Sequence, residues 1–493
     1  MAADAGGVYL DVKSMLHELP SRMLALMRAG NGDASPSSPA QRAQGVLAVL
    51  ERIEGGIVDV APRAGGGAIL TAAQQDELNG IAASKIGERG VVRFMFPIIA
   101  ALRGCARIAE ARATCAPVLV NSELLPWLEH PAGRGLAELR LKPDLFRSWA
   151  PFVEVRGGGE GQGGDPDCDY GVIGSAALQR AGAVAEVYEA KGGTLTPSDF
   201  GELCTYHDAL GGGVRRGVLF GPRAFWLYKT VHASPLKLVR ACWTDGGSAD
   251  VFRTFFEPDA QDELDAPEPP LLALLRTVLA RLDTTLAVAA DGRCYLGSGA
   301  SAHVFSVHAS DGEPPRALKV VMTANAVGIG AEYARMIAAA AAGAPVVPPI
   351  AGSLIIDGSG GAFLLTRVGV AAPAASVRAC SRAFAALAAL HSVGVTHGDA
   401  RLANLLDVDG ELRWIDMLGG VVPAAECATP AFDALARADA EILARSFLRV
   451  AAPAALPAAV HEALRAYVAG AATNAHNLAV AVWAANDAAQ HRA

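Results

Sequence analysis

The 493-residue chain has few aromatics (6%) and few charged residues (19%), so its 52% hydrophobic share rests on small side chains, as in IAAAAAG at 337–343. No run of about eighteen apolar residues free of charges and helix breakers is present, which argues against a helical membrane span. A basic excess is absent too. Forty-two Lys and Arg against fifty Asp and Glu leave a net charge of −8, which argues against coating nucleic acid by bulk electrostatics and leaves room only for a local basic groove. The eight cysteines (Cys105, Cys115, Cys168, Cys204, Cys242, Cys294, Cys380 and Cys427) include no CxxC pair, so scattered thiols are expected rather than a zinc site or a disulfide framework. The start, MAADAGGVYLDVKSML, lacks the basic and apolar regions of a secretory signal, and an intracellular protein, cytoplasmic or nuclear, is expected.

Three stretches look like breaks. GNGDASPSSPAQ (30–41) reads as a flexible connection and RGGGEGQGGDPDCD (156–169) as a glycine-rich loop. FEPDAQDELDAPEPP (256–270) carries six acids and no base among its prolines, the composition of an extended, self-repelling linker. The expected division is an N-terminal, mostly helical region (1–84) without a readable motif, a middle domain (85–250), an acidic linker and helix (251–284), and a C-terminal domain (285–493). Apolar periodicity predicts helices at 40–53, 71–84, 88–113, 271–282, 377–392 and 434–449. Strands are predicted at 185–190, 215–221, 224–230, 302–308, 316–322, 363–367 and 412–416.

The C-terminal domain holds the densest chemistry. In VGVTHGDARLANLLDVDGELRWID, Asp399 is followed by Asn404 and, after a turn and an apolar strand, by Asp416. Phosphoryl transfer needs a carboxylate to orient the attacking hydroxyl and oxygen ligands for magnesium; Asp399 suits the first task, Asn404 and Asp416 the second. Upstream, YLGSGASAHVFSV (295–307) offers Gly297, Gly299 and Val304, RALKVV (316–321) places Lys319 on an apolar strand, and GAEYARMIAAAAA (330–342) starts a helix with Glu332. Together these resemble the protein-kinase-like superfamily over roughly 290 to 450, with FLLTRVG (363–369) as the hinge. The resemblance implies an α+β two-lobed fold that binds ATP and magnesium. It implies Gly297 and Gly299 against phosphate, Val304 against adenine, Lys319 with its partner Glu332 on the phosphates, and Asp399 as catalytic carboxylate. His397 is expected to brace the catalytic loop and Asp439 to support it from a following helix.

The departures from that pattern are specific. IDML replaces DFG, so Met417 stands for Phe and Leu418 for Gly; the loop reads HGD, as in aminoglycoside and choline kinases; and only 22 residues separate Asp416 from Asp439. That length is short for a peptide-docking activation segment, so protein and small-molecule acceptors both stay open.

In the middle domain, LRLKPDLF (139–146) contains Asp144, and AEVYEAKGG (185–193) places Glu189 and Lys191 two apart on a strand, hence on one face. TPSDFGELCTYHDAL then begins a helix with Thr196 as N-cap and Pro197 at its first position. With Asp144 brought near, two carboxylates and an ammonium suit metal-assisted phosphodiester hydrolysis, Asp144 and Glu189 holding the metal. The order resembles the PD-(D/E)xK restriction-endonuclease-like fold, an α/β domain that acts on DNA. Its place before a kinase-like domain resembles Crinkler-type effectors and their relatives. Asp165, Asp167 and Asp169 are possible substitutes for Asp144. Two rival functions stand beside the kinase–nuclease reading: a DNA nuclease whose kinase-like part only senses nucleotide, and a non-enzymatic interaction protein.

Overall fold

The computed structural model describes residues 38–61, 66–123, 126–129, 140–155, 168–174, 178–179, 182–210, 214–231, 234–257, 268–288, 293–299, 302–309, 313–322, 326–373, 376–450, 456–470 and 475–490. Asp165 and Asp167, like most of the glycine-rich loop and the acidic linker, lie outside them. The chain divides into two units, residues 1–273 with 290–295, and 274–289 with 296–493.

The first unit is built on a seven-stranded sheet. Its strands are β1 (Ile57–Asp59), β2 (Pro117–Asn121), β3 (Leu145–Trp149), β4 (Val184–Ala190), β5 (Val214–Phe220), β6 (Ala224–Val231) and β7 (Ser234–Cys242), in the order β1-β7-β6-β5-β4-β3-β2. Strands β2, β3 and β4 form an antiparallel meander, whereas β5 runs parallel to β4. A parallel neighbour requires a crossover, and helix α5 (Pro197–Leu210) supplies it. Its start is capped reciprocally: the Asp199 amide donates to the Thr196 hydroxyl at 3.4 Å, and the Thr196 amide donates to Asp199 Oδ2 at 2.8 Å.

The other helices of this unit are α1 (Pro39–Leu50), α2 (Ala72–Ala82), α3 (Gly87–Leu102), α4 (Ile108–Thr114) and α6 (Ser248–Phe256). Two expectations need correction. The helix predicted over 88–113 is two helices, because Gly104 takes a left-handed φ of 58°. The Gly104 and Cys105 amides then cap the carbonyls of Ala101 and Ala100 at 3.2 and 2.9 Å, a pairing that ends a helix. Nor do the described residues before 85 stand apart from the middle domain. Strand β1 extends its sheet, and α1 packs on α5 where a Cβ at Gly201 would lie 1.9 Å from the Pro39 carbonyl oxygen. Aromatics scarce elsewhere gather beneath this sheet: Tyr188, Phe220, Phe225, Trp243 and Phe252 are fully buried.

In the second unit, an antiparallel sheet has the order β8-β10-β11-β13-β12: β8 (Thr285–Leu286), β10 (Ala302–His308), β11 (Arg316–Met322), β13 (Gly360–Leu365) and β12 (Ile355–Asp357), with β9 (Tyr295–Ser298) beside β10. Helix α8 (Ala326–Ala341) packs on it, preceded in sequence by α7 (Pro270–Arg281). Residues 366–369 lead to a three-stranded sheet of β14 (Val370–Ala371), β15 (Leu405–Val408) and β16 (Glu411–Trp414). Helices α9 (Val377–Ser392), α10 (Pro430–Val450), α11 (Ala458–Val468) and α12 (Ala475–Gln490) complete the larger lobe. A continuous apolar core runs from Val321, Met336 and Phe363 to Leu387, Trp414 and Phe447. The resemblance placed Glu332 at the start of its helix; α8 begins at Ala326, so Glu332 lies in its second turn.

Candidate active sites

The sheet of the second unit sets out the first site. Val304 on β10 pairs with Lys319 on β11, and Lys319 with Phe363 on β13, so Val304 and Lys319 are neighbours on one face. Lys319 is 7% exposed. It donates to both Glu332 oxygens at 2.7 and 2.8 Å and to Asp416 Oδ1 at 2.6 Å. Burial would discharge this ammonium, but the two carboxylates outweigh it and raise its pKa. The lysine and the two acids come from β11, α8 and the segment after β16, up to 97 residues apart.

Asp399 is held from two directions. The Asn404 amide nitrogen donates to its carboxylate at 3.0 Å and to its backbone carbonyl at 2.9 Å, and Arg401 donates twice to Oδ2 at 3.0 and 2.6 Å. Because the Asn404 nitrogen is engaged there, its oxygen is left for another ligand. His397 braces the loop as expected. Its Nδ1 accepts the Asp399 amide at 3.1 Å, so Nε2 carries the hydrogen and donates to the Ile415 carbonyl at 2.9 Å. Burial lowers its pKa, consistent with a neutral ring that holds geometry rather than moving protons. Asp439 on α10, 1% exposed, accepts the amides of His397 and Gly398 at 2.7 Å each.

The IDML departure has a local explanation. Met417 is fully buried, filling an apolar position, while Leu418 is 63% exposed. The left-handed turn falls on Asp416 itself, φ 57°, and Leu418 is not among the positive-φ residues, so glycine is not demanded there. The amides of Leu418 and Gly419 donate to the His397 carbonyl at 2.9 and 2.6 Å. Glycines 297 and 299 have open space around the position of a side chain, and the Gly299 amide bonds the Ala302 carbonyl at 2.9 Å.

The second site follows from register. Leu145 on β3 pairs with Tyr188 on β4, so the next row sets Asp144 opposite Glu189, two buried carboxylates at 3% and 5% exposure. Asp144 Oδ2 accepts the Ala190 amide at 2.8 Å. Even so, burial, with Glu88 and Glu123 pushing the same way, lifts its pKa to about 7. Burial and then Asp144 push Glu189 well above its ordinary range. Lys191, just past β4, donates to Glu189 Oε1 at 2.7 Å and to Glu202 of α5 at 2.8 Å. Glu189 Oε2 is buried without a hydrogen-bond partner. An orphaned carboxylate oxygen facing a second acid is a donor set that suits a hard cation. Among the described residues no group of three or more His, Cys, Asp or Glu is arranged to hold a metal, so protein would supply only the pair. Asp169 lies elsewhere, accepting the Ile108 amide at 2.9 Å and pairing with Arg107 at 3.1 Å. His207, 1% exposed with Nδ1 3.2 Å from the Thr230 hydroxyl, is a core histidine whose pKa burial lowers to about 3. Trp226 and Tyr228 are partly and fully packed within the unit.

Sequence reasoning passed over Arg401, Arg335 and Glu202. A signal was present for the first two: Arg401 follows Asp399 by two residues, and Arg335 follows Glu332 by three on one helix face. Glu202 reaches Lys191 only through the crossover.

Among the described residues no helix is long and apolar enough to cross a membrane. No curated protein matches the chain. Among solved structures it is similar to the Mycobacterium tuberculosis PknI kinase domain, with 22% identity, 41% of this chain and 96% of that one covered, and a TM-score of 0.30. A point mutant of that domain matches at 21% identity with the same coverage and a TM-score of 0.31. Likenesses of that size add nothing to the argument. Residues 293–477 match the family described as APH, phosphotransferase enzyme family. With the lobes and motif order above, that match supports a protein-kinase-like domain of phosphotransferase type over residues 293–477.

Proposed function

We propose that the chain transfers phosphate from ATP, with magnesium, to a hydroxyl acceptor on a protein or small molecule. The observation that carries this reading is the Lys319 ammonium bound at once to Glu332 and Asp416, with Asp399 held by Asn404 in the same loop system. Val304 and the β9–β10 backbone would receive the nucleotide base and phosphates, and Lys319, oriented by Glu332, would hold the phosphate oxygens. Asn404 and Asp416 offer oxygen ligands to magnesium, which when bound would neutralise phosphate charge. Asp399, aligned by Asn404, would orient the acceptor hydroxyl and take up its proton.

The test is incubation with labelled ATP, magnesium and a panel of proteins and small molecules. Asp399→Ala should cut transfer roughly a thousandfold while retaining nucleotide binding; normal transfer by that variant would overturn the assignment.

A specific observation favours a second activity. Asp144 facing Glu189 around an unpartnered oxygen, with Lys191 alongside, supports a PD-(D/E)xK nuclease-like site acting on DNA, in a Crinkler-like arrangement with the kinase-like domain. Asp144 and Glu189 would hold the metal, and Lys191 would steady the attacking water or the developing charge. Comparing DNA cleavage by Glu189→Ala and Asp399→Ala proteins separates the readings. Loss only in the first supports the nuclease; no cleavage and no phosphate transfer by the unaltered protein would leave an interaction module.

A further inference from the structure

Helix α8 holds the segment that follows β16 at two points. One is the Glu332–Lys319–Asp416 chain of ion pairs. The other is Arg335, one turn on, whose Nε donates to the Met417 carbonyl at 2.9 Å. The stem of Arg335 also runs 3.8 Å from where a Cβ at Gly420 would stand. Between these grips lies the left-handed backbone of Asp416. That conformation is disfavoured for a residue with a side chain and persists only where the surroundings hold it. Buried Met417 and the two amides bonded to the His397 carbonyl hold the far side of the turn. On the α8 side, Arg335 alone among the described hydrogen bonds grips this backbone, at the Met417–Leu418 peptide one residue beyond Asp416.

We propose that Arg335 is a positioning residue: by holding the Met417 carbonyl it sets the Asp416 turn, and with it the direction in which the Asp416 carboxylate meets a divalent cation. The proposal rests on the phosphotransferase reading. In this role Arg335 touches neither nucleotide nor acceptor, and acts through the backbone of Met417, the residue after Asp416. It also ties the helix to the metal segment, so that displacing α8 frees Lys319 and the Asp416 turn together.

The experiment measures ATP binding to the full-length protein by calorimetry, across a magnesium titration and in EDTA, with the ligand-free melting temperature alongside. Arg335→Met keeps the aliphatic stem and removes the donor. The expected result is about tenfold or more weaker dependence on magnesium, with ATP binding in EDTA nearly unchanged. Arg335→Lys, whose ammonium can still donate to the carbonyl, should recover most of the loss. If Arg335→Met does not fold, Arg335→Lys compared with Arg335→Gln carries the same contrast. A variant that melts lower yet half-saturates at the unaltered protein's magnesium concentration overturns the positioning role and leaves the phosphotransferase reading intact. If the unaltered protein fails to bind ATP with or without magnesium, both fall.

Discussion

The two sites hold the same kinds of groups, two carboxylates and a lysine, and arrange them in opposite ways. In the second unit the ammonium lies between the acids, 2.7 Å from Glu332 and 2.6 Å from Asp416, so each carboxylate has a cation on the spot. In the first unit the acids face each other and the ammonium stands to one side, shared between Glu189 and Glu202. The first arrangement gives both acids one shared counter-charge; the second leaves like groups opposed and one oxygen without a hydrogen-bond partner. A lysine between acids orders a site, whereas a lysine beside them leaves their repulsion for a cation or a proton to relieve.

The sharpest way to break this comparison is to remove each lysine. Lys319→Met should cost up to about 3 kcal/mol, because the largely buried Glu332 would lose its closest counter-charge while Asp416, 40% exposed, would stay solvated. Chemical denaturation should show that loss, and nucleotide binding should fall with it. Lys191→Met should cost less, since Lys191 is the more exposed lysine, at 18% against 8%, and burial and Asp144 already hold the Glu189 pKa well above its ordinary range. Equal losses would mean that the lysines play the same part.

Next in size is a pH effect in the first unit. The Asp144 pKa is near 7 in the folded chain against an ordinary 3.8. Between those values the folded state holds a proton that the unfolded state has released, so stability falls as pH rises through that window and the full loss is reached above 7. At roughly 1.4 kcal/mol per unit the span is a few kcal/mol at most. Asp144→Asn should therefore raise the melting temperature at pH 8 and leave it little changed near pH 4. Millimolar magnesium at pH 8 should stabilise the unaltered protein and not Asp144→Asn. A flat pH response would remove the argument for opposed acids.

Smaller effects probe the supporting frame. Gly398 has φ 80°, and a Cβ there would lie 2.6 Å from the Gly419 nitrogen. Gly398→Ala should cost about 1–3 kcal/mol and slow phosphate transfer, read by denaturation and by the labelled-ATP assay. Thr196→Ala removes the cap of α5 and should cost about 1 kcal/mol, with no effect on nucleotide binding.

Much of this was legible before the structure. Strand alternation put Glu189 and Lys191 together, and the 2.7 Å contact bears that out. The chain order of Lys319, Glu332, Asp399, Asn404 and Asp416 suggested a shared site; the structure joins Lys319 to Glu332 and Asp416, and Asn404 to Asp399. What stayed hidden depends on register and backbone angle. That Asp144 faces Glu189 follows from the Leu145–Tyr188 pairing, which no local pattern reveals across 45 residues. The break at Gly104 looked like helix interior because the apolar period continues past it. The left-handed turn at Asp416 gave no signal, since aspartate occurs in many other settings.

The amides of Thr396, Leu418, Gly419 and Val422 bond across to the carbonyls of Gly420, His397 and Gly394, closing the stretches 394–397 and 418–422 into one short ladder. These amides should exchange with deuterium as a single cooperative unit rather than one by one. Opening for nucleotide entry and release would then be a movement of whole lobes, with this ladder travelling as cargo.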